Sequence, residues 1–131
     1  MEMQSKILPL GGIGGLYTIT TKEINDDGGV FRIHLNPECL IYKPHFPEQP
    51  ITPGVCMTQI AVELAEIIVE HNLQMIGIKN VKFLSILTPA TQTEVTYDIT
   101  IKSSDDKETR IQAVAQSDDV VYAKMSLICK R

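Results

Sequence analysis

The residues of this 131-residue chain that could do chemistry gather in one stretch, PHFPEQPITPGVCMTQIAVELAE, Pro44 to Glu66. His45 titrates in the right range to act as a general base near neutral pH. Prolines crowd around it, and because proline fixes its own φ the loop that carries the imidazole is stiff. Thr52 and Pro53 then read as a helix start, with a hydroxyl at the N-cap and proline at the first helical position. The unpaired N–H groups of such a start, at the positive end of the helix dipole, can hold a developing negative charge. Gly54 would let a substrate approach that backbone closely. This is equipment for acid–base chemistry on an acyl group. Further along the predicted helix stand Gln59 and, one turn later, Glu63. A glutamine amide donates a hydrogen bond but gives up no proton at neutral pH.

The elements that must position these groups follow from periodicity and turn chemistry. GGIGGLY is glycine-rich but fits no GxGxxG spacing, and reads as a turn before a strand. LYTITTKEI reads as a strand, NDDGG as a hairpin turn, and VFRIHLN as a strand with Phe31, Ile33 and Leu35 on one face and Arg32 and His34 on the other. His34 is therefore a strand residue facing solvent. PECLIYKPHFPEQPIT holds four of the seven prolines and reads as loop. The helix is predicted from about Pro53 to His71, with Asn72 as its stop and His71 suited to the negative end of the dipole. IGIKNVKFLSIL, TEVTYDITIKS, TRIQAVAQ and VVYAKMSLICK then read as four strands in meander style, separated by TPATQ, SDDKE and SDD.

Val55, Met57, Ile60, Ala61, Val62, Leu64, Ala65, Ile67, Ile68 and Val69 cover most of the helix circumference. A helix apolar nearly all round is buried, so the fold class is α+β, an antiparallel sheet wrapped around one central helix. Gln59, Glu63, Glu66 and Glu70 form a narrow polar stripe on that helix. For Glu66 and Glu70 a solvated face is the natural reading. Gln59 and Glu63, nearer the histidine loop, stay open between solvated and functional.

Composition narrows the remaining classes. A net charge of −4 argues against nucleic acid as the main partner. Three widely spaced cysteines, Cys39, Cys56 and Cys129, with no CxxC, suggest neither a disulfide framework nor a zinc site, and fit reduced thiols in a cytoplasm. Cys56 falls in the first helical turn, where a thiolate would be favoured, but a packed core cysteine is the better reading. The N-terminal residues lack signal-peptide features, and no apolar run approaches the roughly 20 residues that span a bilayer. Length and the absence of a linker or repeat suit one domain, residues 1–131.

HFPEQPITPGV resembles the signature H-F-P-G-x-P-x-x-P-G-V of the hot-dog-fold 3-hydroxyacyl-[acyl-carrier-protein] dehydratases, matching at His45, Phe46, Pro47, Pro50, Pro53, Gly54 and Val55. GIKNVKFLSILTPA resembles the segment after the helix in that family, whereas residues 1–16 match poorly. The resemblance implies a hot-dog fold and a dimer with two subunits at each site. It implies His45 as the base that takes a proton beside the thioester carbonyl. Backbone N–H groups of Gly54 and Val55 would hold the thioester oxygen, and the Ile51 carbonyl would orient the histidine ring. It implies no metal or organic cofactor, and acyl carrier protein or a coenzyme A thioester as partner. Lys43, Lys79, Lys82 and Arg32 are the basic residues open to an acidic carrier.

The chain departs from that pattern where it matters most. The family's catalytic carboxylate lies at the position of Gln59, and its usual glutamine at the position of Glu63, so the two residues look exchanged. Glu48 and Pro44 each replace a usual glycine. Dehydration with Glu63 as the acid, dehydration with His45 as both base and acid while Gln59 positions a water, thioester hydrolysis, and an acyl-binding subunit without catalysis all remain open.

Overall fold

The computed structural model describes residues 15–42 and 51–131. Two strands, β1 (Tyr17–Asn25) and β2 (Gly28–Leu35), precede a short 3-10 turn at Leu40–Tyr42. The helix α1 (Gly54–Val69) follows, then β3 (Gln74–Phe83), β4 (Glu94–Ser104), β5 (Thr109–Ser117) and β6 (Val120–Lys130). The alternation read in the sequence sets which side chains face inward. Phe31, Ile33 and Leu35 of β2, Val95, Tyr97 and Ile99 of β4, and Ile111, Ala113 and Ala115 of β5 are all buried. Gly28 opens β2 because a Cβ there would lie 2.1 Å from the Ile99 carbonyl oxygen, so only glycine permits the β2–β4 approach.

The strands form one antiparallel sheet in the order β1-β2-β4-β5-β6-β3. The sheet carries α1 against its inner face, where the helix meets β2, β3, β4, β5 and β6. This is the hot-dog arrangement. The predicted meander holds for β4, β5 and β6 but not for β3, which pairs with β6 rather than β4. The reason is the connection from residue 84 to 93. It is tied to β6 at one end, where Leu84 N–H donates to the Tyr122 carbonyl at 2.8 Å. At the other end Leu35 N–H donates to the Thr93 carbonyl at 2.7 Å, beside β2. The chain thus crosses from the far edge of the sheet to its other half.

The helix core is as dry as its composition requires: Ile60, Ala61, Leu64 and Ala65 are fully buried. Its ends differ from the sequence reading. The helix stops at Val69, and Glu70 takes a left-handed conformation (φ 61°), its N–H donating to the Glu66 carbonyl at 2.9 Å. His71 and Asn72 lie beyond it, the His71 ring Nδ1 lying 3.0 Å from the Asn72 carbonyl. Glu66, expected on a solvated face, is half-buried, and its carboxylate accepts the Leu73 N–H at 2.8 Å. That contact turns the chain from α1 into β3, which explains a helix end without glycine.

Candidate active site at the helix N-terminus

The chain enters α1 under firm control. Thr52 N–H donates to the Leu87 carbonyl at 2.8 Å, and the Thr52 hydroxyl lies 2.9 Å from the Tyr42 hydroxyl. Thr52 is therefore not the helix cap. Pro53 takes that position with extended backbone and no side-chain cap, its carbonyl accepting from Cys56 at 3.0 Å and Met57 at 3.1 Å. The threonine hydroxyl is taken by a buried phenol instead, and burial holds the Tyr42 phenol up at about 12.

Gly54 and Val55 open the helix, and their N–H groups donate to no described residue. Two free donors at a helix start are an anion-holding geometry. The Ile51 and Val55 side chains beside them are exposed. The glycine has a neighbour that the sequence did not reveal. A Cβ on Gly54 would lie 2.5 Å from the ring of Phe83, at the end of β3. Phe83 is thus a wall of this site. From the core side, the Tyr97 hydroxyl donates to the Met57 carbonyl at 3.0 Å and pins the first helical turns.

Gln59 and Glu63 do not form a solvated face. Glu63 is 4% exposed, Gln59 is half-buried, and the Gln59 Nε2 donates to Glu63 Oε2 at 3.3 Å. The second carboxylate oxygen, Oε1, accepts the Tyr17 hydroxyl at 2.8 Å. Sequence reasoning missed Tyr17, which it took only as a strand residue. The one available signal was alternation placing it on the inner face of β1. Burial first, and the Glu63 charge second, push the Tyr17 phenol far above its ordinary range, so it remains a donor.

The other candidates separate. His45, with Lys43, Pro44 and Glu48, lies outside the described residues. Cys56 is buried, and burial pushes its thiol up to about 11, the reverse of an activated thiolate. His34 lies on the outer face of β2 with Nδ1 3.1 Å from a Glu94 carboxylate oxygen. Arg32, Lys79 and Lys82 are exposed on the sheet. No helix among the described residues is long and apolar enough to cross a membrane. Among the same residues no three His, Cys, Asp or Glu side chains gather as a metal site.

Comparison with known proteins places this geometry. No curated protein sequence matches the chain. Among solved structures, the dehydratase heterocomplex ApeI:P from Xenorhabdus doucetiae aligns with a TM-score of 0.72 at 18% identity, over 86% of this chain and 96% of that one. An uncharacterized protein from Erwinia carotovora subsp. atroseptica aligns at 0.61 and 17% identity, over 88% and 94%. A candidate thioesterase, a phenylacetic acid degradation-related protein from Ralstonia eutropha JMP134, aligns at 0.61 and 8% identity, over 86% and 83%. At such identities the likeness is one of fold. The family model described as ApeI-like, ApeI dehydratase, matches residues 21–125. That span includes the helix, Gln59 and Glu63, the whole of β2, β3, β4 and β5, and about half each of β1 and β6. The chain belongs to the ApeI-like dehydratase family of hot-dog proteins.

Proposed function

We propose that the protein removes water from a 3-hydroxyacyl thioester to give the 2-enoyl thioester, on an acyl group carried by acyl carrier protein or coenzyme A. The observation that carries this reading is the Gln59 amide held by Glu63 behind the open N–H groups of Gly54 and Val55. In the proposed step His45 takes the proton from the carbon beside the thioester carbonyl. The Gly54 and Val55 N–H groups hold the charge that grows on the thioester oxygen. The electron pair of the broken C–H bond forms the C=C bond, the C–O bond breaks, and the imidazolium returns its proton to the departing oxygen as water. Gln59 holds that oxygen in place. The Ile51 carbonyl orients the imidazole. These steps use no metal or organic cofactor.

Glu63 as the acid, or as the activator of water in a thioesterase, fits less well. Its carboxylate is buried and both oxygens already accept hydrogen bonds. The test supplies the purified protein with 3-hydroxyacyl and enoyl thioesters and follows enoyl absorbance and free thiol separately. Enoyl formation without thiol release is expected. Thiol release alone would replace this reading with hydrolysis, and neither signal would leave an acyl-binding subunit.

We further propose a single cytoplasmic hot-dog domain that works as a dimer. The support for the dimer is β3, an edge strand carrying exposed Ile76 and Ile78. An apolar edge left open invites pairing with another chain. Ile78→Lys is expected to shift the protein to monomer in sedimentation velocity at micromolar concentration. A variant that sediments as the wild-type dimer would remove β3 from the interface.

A further inference from the structure

Glu63 poses a problem that its neighbours solve. A carboxylate inside an apolar core is costly unless its oxygens are hydrogen-bonded. Here Oε1 accepts from the Tyr17 hydroxyl at 2.8 Å and Oε2 from the Gln59 amide at 3.3 Å. The three groups form a chain running from the sheet to the helix surface, and Tyr17 and Glu63 are 46 residues apart in sequence.

The chemistry of each group fixes the next. A carboxylate accepts and does not donate, while an amide has a donating NH2 at one end and an accepting oxygen at the other. A Gln59 amide bonded to Glu63 must therefore turn its NH2 toward it. Its carbonyl oxygen is left for another partner, and among the described residues that oxygen accepts no hydrogen bond. Tyr17 is suited to anchor the chain. It is 2% exposed, and its backbone pairs with Leu35 of β2 in the sheet register.

We propose that Tyr17 is a positioning residue which, through Glu63, locks the Gln59 amide so that its carbonyl oxygen faces the hydroxyl to be expelled. This rests on the dehydratase reading above. The exchange of carboxylate and amide along the helix acquires a meaning: the site presents an acceptor where relatives of the resembled pattern present an acid. The substrate hydroxyl donates a hydrogen bond to the Gln59 carbonyl oxygen and keeps its proton, which aligns its oxygen lone pair for the proton returned by His45.

The test uses the full chain with Tyr17→Phe, Glu63→Gln and Gln59→Leu. The first readout needs no turnover. The Gln59 side-chain amide is identified in a 1H–15N spectrum by its loss in Gln59→Leu. In the wild type its protons are expected to exchange slowly. In Tyr17→Phe the signal should move toward that of an unrestrained glutamine and exchange faster. Glu63→Gln, which keeps an acceptor for Tyr17 but offers Gln59 both amide ends, should shift the same signal even if Tyr17→Phe folds poorly. A Gln59 signal unchanged in both variants overturns the lock.

The second readout is kinetic. Tyr17→Phe should lower kcat about tenfold, the scale of one misplaced hydrogen bond, with KM nearly unchanged. In the Gln59→Leu background the same change should cost nothing further. Losses that multiply in the double variant would show Tyr17 acting by another route and overturn the proposal. If the wild type forms no enoyl product, the dehydratase reading falls while the amide signal still decides the lock.

Discussion

His45→Ala is expected to slow enoyl formation by about 10³-fold, within the range that general acid–base catalysis typically supplies. The proposed step uses one imidazole twice, to remove the carbon-bound proton and to return it to the departing oxygen. Its loss therefore removes both proton transfers. The N–H groups of Gly54 and Val55 would remain, so substrate should still bind and KM should change little. Gln59→Glu is the informative counterpart. It would place a second carboxylate beside Glu63, at a position now 3.3 Å from it. Two carboxylates that close cannot both ionise easily, and the pair would share one proton. That proton would supply an acid at the helix position that lacks one. The variant is expected to turn over faster than wild type below neutral pH, by up to about 10²-fold, with the gain fading as pH rises. Stopped-flow enoyl absorbance across pH measures both. A His45→Ala rate within threefold of wild type would remove histidine from the mechanism.

Stability is expected to collapse in alkali. The Cys56 and Cys129 thiols are pushed from 9.0 up to about 11 by burial, and Tyr42 from 10.0 up to about 12. The Tyr17 and Tyr97 phenols are pushed higher still, again chiefly by burial. Each group keeps its proton in the fold at a pH where the unfolded chain has released it. The unfolded state therefore binds fewer protons, and stability falls as pH rises. The contribution is complete below about pH 9, where unfolded thiols begin to ionise, and is lost between there and about pH 12. A thiol held from 9.0 to about 11 contributes roughly 2–3 kcal/mol, so a few such groups rival the whole stability of a small domain. Denaturant midpoints should be level from pH 7 to 8.5 and fall steeply above pH 9, with the main rise in phenolate absorbance coinciding with unfolding. Smooth titration of all tyrosines near pH 10 in a folded protein would contradict the burial of Tyr17 and Tyr97. Cys56→Ala should flatten the fall between pH 9 and 11.

Much of this was legible along the chain because the signals are local. The β2 alternation of Phe31, Ile33 and Leu35 gave its buried face, and the apolar girth of α1 gave a helix enclosed by sheet. Turn residues marked the β1–β2 connection, whose Asn25 and Gly28 pair across the Asp26–Asp27 turn. The reading of Cys56 as core rather than nucleophile agrees with its burial and raised thiol. Local rules also misled. Thr52 had the type and place of a cap, but the Tyr42 hydroxyl competed for it. Asn72 was a plausible stop, but the Glu66 contact to Leu73 ended the helix earlier. Gly54 looked like a substrate device, and it also lies against the ring of Phe83, 29 positions on, which would have to move to admit a side chain there.

By itself, then, the sequence determined the element types, the inward faces and the resemblance carried by His45 to Val55, because each rests on periodicity or on residues in one short run. Only the tertiary structure decided that β3 leaves the meander for the outer edge, because strand partnership depends on how the connection after Phe83 crosses the sheet. It alone brought Tyr17 to Glu63 and Glu63 to Gln59. A buried carboxylate finds its partner by proximity in the folded core, and no pattern within either segment records a contact between residues 46 positions apart.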